Sequence, residues 1–422
     1  MPEINSRLSS EGSNFCASIL WIAVPLQSTG AVLTDEPGRY SDRLLLTIET
    51  GAKIEDFAWD PFNPNCLAVA GIDGKVRFWR VSNFAHGWES HSVPSDLCLI
   101  TVVGFGRVSC LRFNPVATDV FAAVSDGIRL GIWSREGGNR RIVCTGHTEQ
   151  ILSIAWDTIG SQIVTLSKDC HMRIYEPRQS VEPFLVIERR ILESPKSGRV
   201  LFVCKDEAIL VSSVIFRVSD RLVGLYSANT FDLLAKISLM VSPQLLIPHY
   251  DYDTSVVFLT SRGDQTIHMY EVVNSEPYFL RLLPFSSRVS HQAISLLPKL
   301  VCGIHKLEFA FGYRLLTNAI ESLSFTIPRQ KSNRFEKDLF PDSLVTWEPR
   351  LTAAEWFDGV SVPLLFLSLR PKEHDRGNRA YNTIARMYPV LAKLVSTLTQ
   401  SLKMKHSCSA NNFQVCSIRN EH

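Results

Sequence analysis

No apolar run in this 422-residue chain approaches the roughly 20 residues that a membrane-spanning helix needs; the longest, such as Ile209–Phe216, are strand-sized, so no transmembrane segment is expected. Cys-x-x-Cys is absent, and so is any Asn-x-Ser/Thr acceptor. An excess of one charge is lacking too. The 44 Lys and Arg against 42 Asp and Glu leave a net charge of +2, which gives no field to recruit nucleic acid or an anionic membrane. Met1–Asn14 is polar and holds no apolar core, so it does not read as a secretory signal, and a cytoplasmic location is expected. Ten cysteines are present, but Cys66, Cys110, Cys144, Cys170 and Cys204 stand singly in strand-like segments, the pattern of reduced, buried thiols in a cytosolic protein. What is abundant is ordinary for a large folded core: 45% hydrophobic and 20% charged residues.

One pattern organises the chain. Five times an Asp is followed six or seven residues later by a Trp or Tyr that closes an alternating apolar stretch: Asp73/Trp79, Asp126/Trp133, Asp169/Tyr175, Asp220/Tyr226 and Asp264/Tyr270. Successive aromatics lie 54, 42, 51 and 44 residues apart. One four-stranded propeller blade takes roughly 40–45 residues, and loop insertions account for the excess. The predicted fold is therefore all-β, a seven-bladed WD-repeat β-propeller over residues 14–371, flanked by a flexible N-terminus (1–13) and a divergent basic tail (372–422). Between Pro277 and Arg314 the signature does not recur, so the last blades are poorly marked.

The unit from Thr145 to Pro177 is the clearest, with Gly146-His147, two apolar strands, Asp169 in a turn and Tyr175 at the close. His147, Thr165 and Asp169 are expected to form a buried hydrogen-bond chain ending on Tyr175, which would leave no buried polar group unsatisfied. The unit closing on Trp79 lacks the Gly-His pair and carries Ala68 and Val69 in its strand, so packing is expected to hold it instead.

Several segments resemble the coronin family. Asp56–Asn63 with Val76–Arg80 is similar to the opening blade of a coronin propeller; Leu245–Asp251 with Leu259–Asp264, Ile320–Arg329 and Asp338–Asp342 together form a combination characteristic of it. Phe15–Ala17, Ala23–Leu26, Pro37–Arg39 and Thr346–Pro349 with Trp356 resemble the second propeller of the tandem branch. The resemblance implies seven blades closed by N-terminal and C-terminal strands that share one sheet, with residues 14–48 and 320–350 as the closing segments. It also implies a non-enzymatic scaffold whose partners are F-actin or actin regulators, with Golgi-related vesicle trafficking or a substrate-adaptor role in ubiquitin ligation as the tandem branch's further associations. A tandem member carries another propeller upstream, so this chain reads as a half-length product, a fragment or an incomplete gene reading. The family's basic N-terminal actin-contact segment has no counterpart in Met1–Asn14, and the tandem form's acidic tail is replaced by residues 372–422, with eight Lys/Arg against three Asp/Glu.

Within that tail Ala380, Ile384, Met387, Leu391, Leu394 and Leu398 recur at helical steps, predicting an amphipathic helix over 379–404. A short docking helix or an unstructured segment, a coiled coil interrupted at Pro389, and a basic membrane-surface helix all fit this spacing. Catalytic chemistry finds no constellation. Gly104-x-Gly106 opens no helix, His147 with Asp169 falls at blade positions, and His249 with Asp251 has no third ligand, so neither cofactor nor metal is predicted. The long gaps 82–103 and 176–199 are the places to look for partners. Arg178, Arg189, Arg190, Lys196 and Arg199 cluster there in sequence and could meet an acidic protein surface.

Overall fold

The computed structural model describes residues 13, 15–26, 30–34, 37–38, 46–81, 98–102, 106–135, 140–186, 195–215, 221–239, 242–327, 335, 337, 339–370 and 415–417. The expected helix over 379–404 lies outside them, as do Asp220, Arg189 and Arg190.

Seven sheets, antiparallel except for one pairing in the last, follow one another along the chain and form the seven blades. Blade 1 runs from Cys16–Ala17 to Leu46–Glu49, blade 2 from Ile54–Trp59 to Cys98–Val102, and blade 3 from Val108–Phe113 to Arg140–Cys144. Blade 4 runs from Ile151–Trp156 to Leu185–Val186, blade 5 from Pro195–Val203 to Leu233–Leu239, and blade 6 from Ile247–Asp251 to Phe285–Ser286. Blade 7 comprises Ala293–Leu296, Glu308–Leu315 and Ile320–Thr326, with Val415–Ser417 as a fourth strand in parallel pairing.

The second strand of each blade shows why the sequence gives this architecture. Cys66–Gly71, Val120–Ser125, Ile163–Ser167 and Val256–Thr260 are buried at every position, because a neighbouring blade covers each face of the strand. The turns that follow are built for tight reversal. Asp126 and Gly127 both take left-handed backbone angles (φ 52° and 77°) in the three-residue loop that joins Ser125 to its partner Arg129.

The signature aromatics are the contacts between blades. Trp79 joins a core cluster with Leu33 and Ile48 of blade 1; Trp133 packs with Cys66, Ala68 and Phe78 of blade 2; Tyr175 packs with Val124, Ile132 and Cys144 of blade 3. Tyr226 sits against Val164, Leu166 and Ile174 of blade 4, and Tyr270 against Leu210 and Leu225 of blade 5. Each aromatic thus ends the third strand of its own blade and buries its ring against the preceding one. Blade 7 follows the same rule with Phe325, which packs on Phe258 at 4.8 Å and Phe285 at 6.5 Å in blade 6. Ala319 stands six residues before it, where blades 2, 4, 5 and 6 carry Asp.

Ring closure corrects the expectation. Residues 16–49 supply four strands to blade 1, and among the described residues no sheet mixes the two blades, which meet in backbone pairing through an antiparallel bridge between Gly38 and Ile320. The ring is joined by packing of Phe15, Ile22 and Val24 on Ala293, Leu315 and Ile320. The Ala17 amide also donates to Ser295 Oγ at 3.0 Å, and the Ile320 amide to the Gly38 carbonyl at 3.1 Å.

A strap from Ser343 to Arg370 runs across several blades. Asp253 of blade 6 accepts the Ser343 hydroxyl at 2.5 Å and the Leu344 amide at 2.9 Å; Val345 and Trp347 enter the core of blades 1 and 2; the Leu351 carbonyl takes the Thr118 amide of blade 3 at 2.9 Å. A one-turn helix, Ala353–Phe357, starts from a capping box in which Thr352 and Glu355 satisfy each other's amides. It delivers Trp356, fully buried, to blade 4, where its Nε1 donates to the Gly160 carbonyl at 2.8 Å and its ring meets Trp156 edge-on at 5.8 Å.

Candidate functional site

A polar network fills the side of blade 4 away from its strap. His147 Nε2 lies 2.8 Å from Thr165 Oγ1, and Thr165 donates in turn to the Arg173 carbonyl at 3.3 Å. Arg173 Nη1 sits 2.8 Å from His147 Nδ1 and 2.7 Å from Asp169 Oδ2. A guanidinium only donates, so Nδ1 is the acceptor and the proton is assigned to Nε2, facing Thr165. Burial, reinforced by the Arg173 charge, holds the imidazole down at about 4, which keeps it neutral as this tautomer requires. Asp169 is pushed up by burial, yet the His171 amide at 2.9 Å and Arg173 outweigh this and leave its carboxyl below the usual range.

The chain departs from the expected one at its end. Tyr175 donates its hydroxyl to the Thr145 carbonyl at 2.7 Å and meets His147 only through a ring contact at 6.0 Å. The fourth polar member is Arg173, which sequence reasoning left out although Asp-x-x-x-Arg spacing was visible there. The same spacing recurs in blade 2, where Arg77 reaches Asp73 through both nitrogens at 3.2 and 2.6 Å. That hydrogen bonding holds the Asp73 carboxyl low, so blade 2 carries a polar clasp besides its packing. In blade 3 the counterpart is Asp126 with Arg129, at 3.4 Å and more exposed. Blade 6 draws its partners from elsewhere. Asp264 receives Arg221 Nη1 of blade 5 at 2.7 Å, and Thr260, four residues before Asp264, contacts Nε2 of His291, a residue of the linker to blade 7.

The predicted basic residues do not form one surface. Arg178 is taken up by the strap: Nη1 donates to the Val360 carbonyl at 2.7 Å, Nη2 reaches Ser361 Oγ at 3.1 Å, and the guanidinium lies 5.4 Å over the Trp356 ring. Arg199 is 6% exposed and turned into the centre of the ring, where its charge helps burial to hold His249 down at about 4. Lys196 lies in the strand Pro195–Val203 with its side chain outside the described residues.

The innermost strands of all seven blades wall a central cavity of about 620 Å³, to which the strap adds Leu344, Val345, Arg350 and Pro363–Leu365. Among the described residues no group of three His, Cys, Asp or Glu is placed to hold a metal ion, and no helix is long and apolar enough to cross a membrane. The eight cysteines from Cys16 to Cys302 are all free; burial pushes the Cys66, Cys144 and Cys302 thiols up to about 12, which makes them packing groups at neutral pH.

Comparison with known proteins adds to this geometry. The family model for the WD domain, G-beta repeat, matches residues 138–176, and a model described as a type of WD40 repeat matches 320–364. Coronin-7 of Mus musculus is 39% identical over 374 residues, covering 87% of this chain and 40% of that protein; human Coronin-7 is 38% identical over 88% and 40%. The chain thus spans 40% of the length of these relatives. Coronin-A of Dictyostelium discoideum is 30% identical over 368 residues, covering 86% of this chain and 80% of that protein. The crystal structure of the WD40 domain from Toxoplasma gondii coronin superposes with a TM-score of 0.74 at 20% identity, over 87% of this chain and 95% of that one.

Proposed function

The chain belongs to the coronin family, and from that premise we propose that it is a non-enzymatic propeller scaffold that binds actin filaments and serves organisation of the actin cytoskeleton in the cytoplasm. The observation that carries this reading is the match to Coronin-A over four-fifths of that protein, together with a complete ring of seven blades. A propeller with this packing is a rigid disc. It works by presenting loops in fixed relation, without turnover, and its specificity lies in those loops and not in the fold.

Of the five basic residues, Arg178 and Arg199 are engaged within the protein, which leaves Arg189, Arg190 and Lys196 as the proposed contact for an acidic filament surface. Reversing Arg189 and Arg190 to Glu is expected to reduce co-pelleting with actin filaments at least fivefold at low salt, because charge at a contact rim governs encounter and salt response. Undiminished pelleting of that variant rules out this contact. The higher identity with Coronin-7 keeps a second reading in view, an adaptor in Golgi-related trafficking or ubiquitin ligation. Capture of ubiquitin-ligase components by a chain that does not pellet with filaments favours it.

A further inference from the structure

The outer strand of a blade pairs on one side only, so its far side carries unpaired amides and carbonyls that recruit a further strand unless length, charge or a bulge prevents it. Six of the seven blades carry such protection. In blade 3 the outer strand Arg140–Cys144 opens on two arginines and a register shift interrupts its pairing. In blade 5 Leu233–Leu239 has Lys236 at its centre and a shift as well, and blade 1 ends its outer strand on exposed Glu49. Blade 4 offers two residues, Leu185–Val186, and blade 6 three, Phe279–Arg281, the last of them a cation. Blade 7 is covered at one end of its outer edge by Val415–Ser417 and bridged at the other by Gly38. Blade 2 has none of these devices. Its outer strand, Cys98–Val102, pairs with Lys75–Trp79 over five residues without a shift. It holds no charged residue, and in sequence the uncharged run extends from Leu97 to Val103. Leu99 and Ile100 are each 51% exposed, although successive residues of a strand point to opposite faces. Both faces of this strand are therefore open along with its edge. Among the described residues every strand already belongs to a sheet, so no described segment is left to cover it.

We propose that the outer edge of blade 2 pairs with the same edge of a second copy of this chain, joining two propellers rim to rim through one continuous sheet. Charge selects this occupant. A strand that meets Cys98–Val102 sets its side chains beside Leu99 and Ile100, where an unpaired charge would lose its water. The strand meets that condition for itself, whereas the outer strands of blades 1, 3, 5 and 6 would each bring a charge to the seam. A two-fold axis presents the strand to its copy in antiparallel order, so the same surface serves on both sides and the assembly closes at two. The strand is also the last in its sheet, farthest from the central cavity that the first strand of the blade lines, which puts it at the perimeter of the disc. Pairing over five residues buries less than the roughly 1,600 Å² of a standard stable interface, so the dimer is weak and reversible. Its effect is to hold two sets of partner-binding loops in fixed relation.

The test is sedimentation velocity of the full chain over about a hundredfold range of concentration, in reductant so that the free Cys98 thiol forms no disulfide. A reversible shift from monomer to dimer is expected as concentration rises. Ile100→Lys sets a charge in the seam and should weaken the dimer about tenfold or more, while Ile100→Val should dimerise as the natural chain does. Circular dichroism checks that each variant is folded; should Ile100→Lys not fold, Leu99→Lys decides. Leu233→Lys, at a residue equally exposed (51%) on the guarded edge of blade 5, should leave the dimer unchanged. Hydrogen exchange at high and low concentration locates the contact: slower exchange in the dimer is expected at 98–102 and not at 233–239. A chain that stays monomeric throughout overturns the proposal and leaves the edge to a strand of another protein. A dimer that leaves exchange at 98–102 unchanged, or that Leu233→Lys weakens as much as Ile100→Lys does, overturns it as well.

Discussion

Blades 4 and 6 carry the same short motif, a Thr four residues before an Asp, and use it in opposite ways. In blade 4, Thr165 and Asp169 find His147 and Arg173 within the blade or on its entry loop. In blade 6, Thr260 and Asp264 find His291 from the linker to blade 7 and Arg221 from blade 5. Blade 4 is therefore self-contained, whereas blade 6 is fastened to both neighbours. A β-propeller must both fold its blades and hold its ring shut. The difference shows one polar motif serving each task, according to which strand supplies the cation. The fastened blade lies next to blade 7, which among the described residues shares no strand with blade 1.

The largest effects should come from removing the cations. Arg173→Met and Arg221→Met each leave a carboxylate unpaired in a confined site, at a cost of about 3 kcal/mol or more. Arg173 and Asp169 are 9% and 7% exposed, Arg221 and Asp264 4% and 21%. Urea unfolding measures the cost, and hydrogen exchange separates the roles: faster exchange confined to blade 4 is expected for Arg173→Met, and spread over blades 5 and 6 for Arg221→Met. The same spread in both variants removes the distinction. Next come Thr165→Val and Thr260→Val, each of which strips a buried imidazole nitrogen of its partner and should cost about 1–3 kcal/mol.

Acid should affect both blades alike. Burial is the main cause that holds His147 and His291 at about 4, against an ordinary 6.5. Between those values the unfolded chain binds more protons than the folded one, so this contribution to stability is complete above pH 6.5 and is lost as pH falls toward 4. The slope should approach about 1 kcal/mol per pH unit for each histidine, and His147→Gln should flatten the profile by one such share. A profile unchanged by that substitution would contradict the neutral assignment. The smallest effect belongs to blade 3, where Arg129→Gln breaks an exposed pair and should shift stability by less than about 0.5 kcal/mol.

Five blades were legible in the sequence because their signature is local: an Asp in a turn and an aromatic at the end of the same hairpin, six or seven residues on. Blades 1 and 7 were not, for the same reason. Blade 7 replaces the Asp with Ala319 and the Trp or Tyr with Phe325, and its first two strands are joined through two 3-10 turns, Lys299–Val301 and Ile304–Lys306. Sequence showed where the polar groups lie but not what they meet. His291 meets Thr260 across 31 residues, and Arg221 meets Asp264 across 43. Arg178 looked like a free surface cation in sequence, because the carbonyl it serves, Val360, lies 182 positions away. Arg199 looked the same, yet it begins the run of residues that blade 5 turns toward the central cavity. Charge run and charge surface coincide only when the fold leaves the run on one face.

The most direct test of the account is co-sedimentation of the purified chain with actin filaments over a series of salt concentrations. Pelleting at low salt that weakens steadily as salt screens the contact is the predicted result. A chain that stays in the supernatant at the lowest salt, while its unfolding remains cooperative, contradicts filament binding by this propeller.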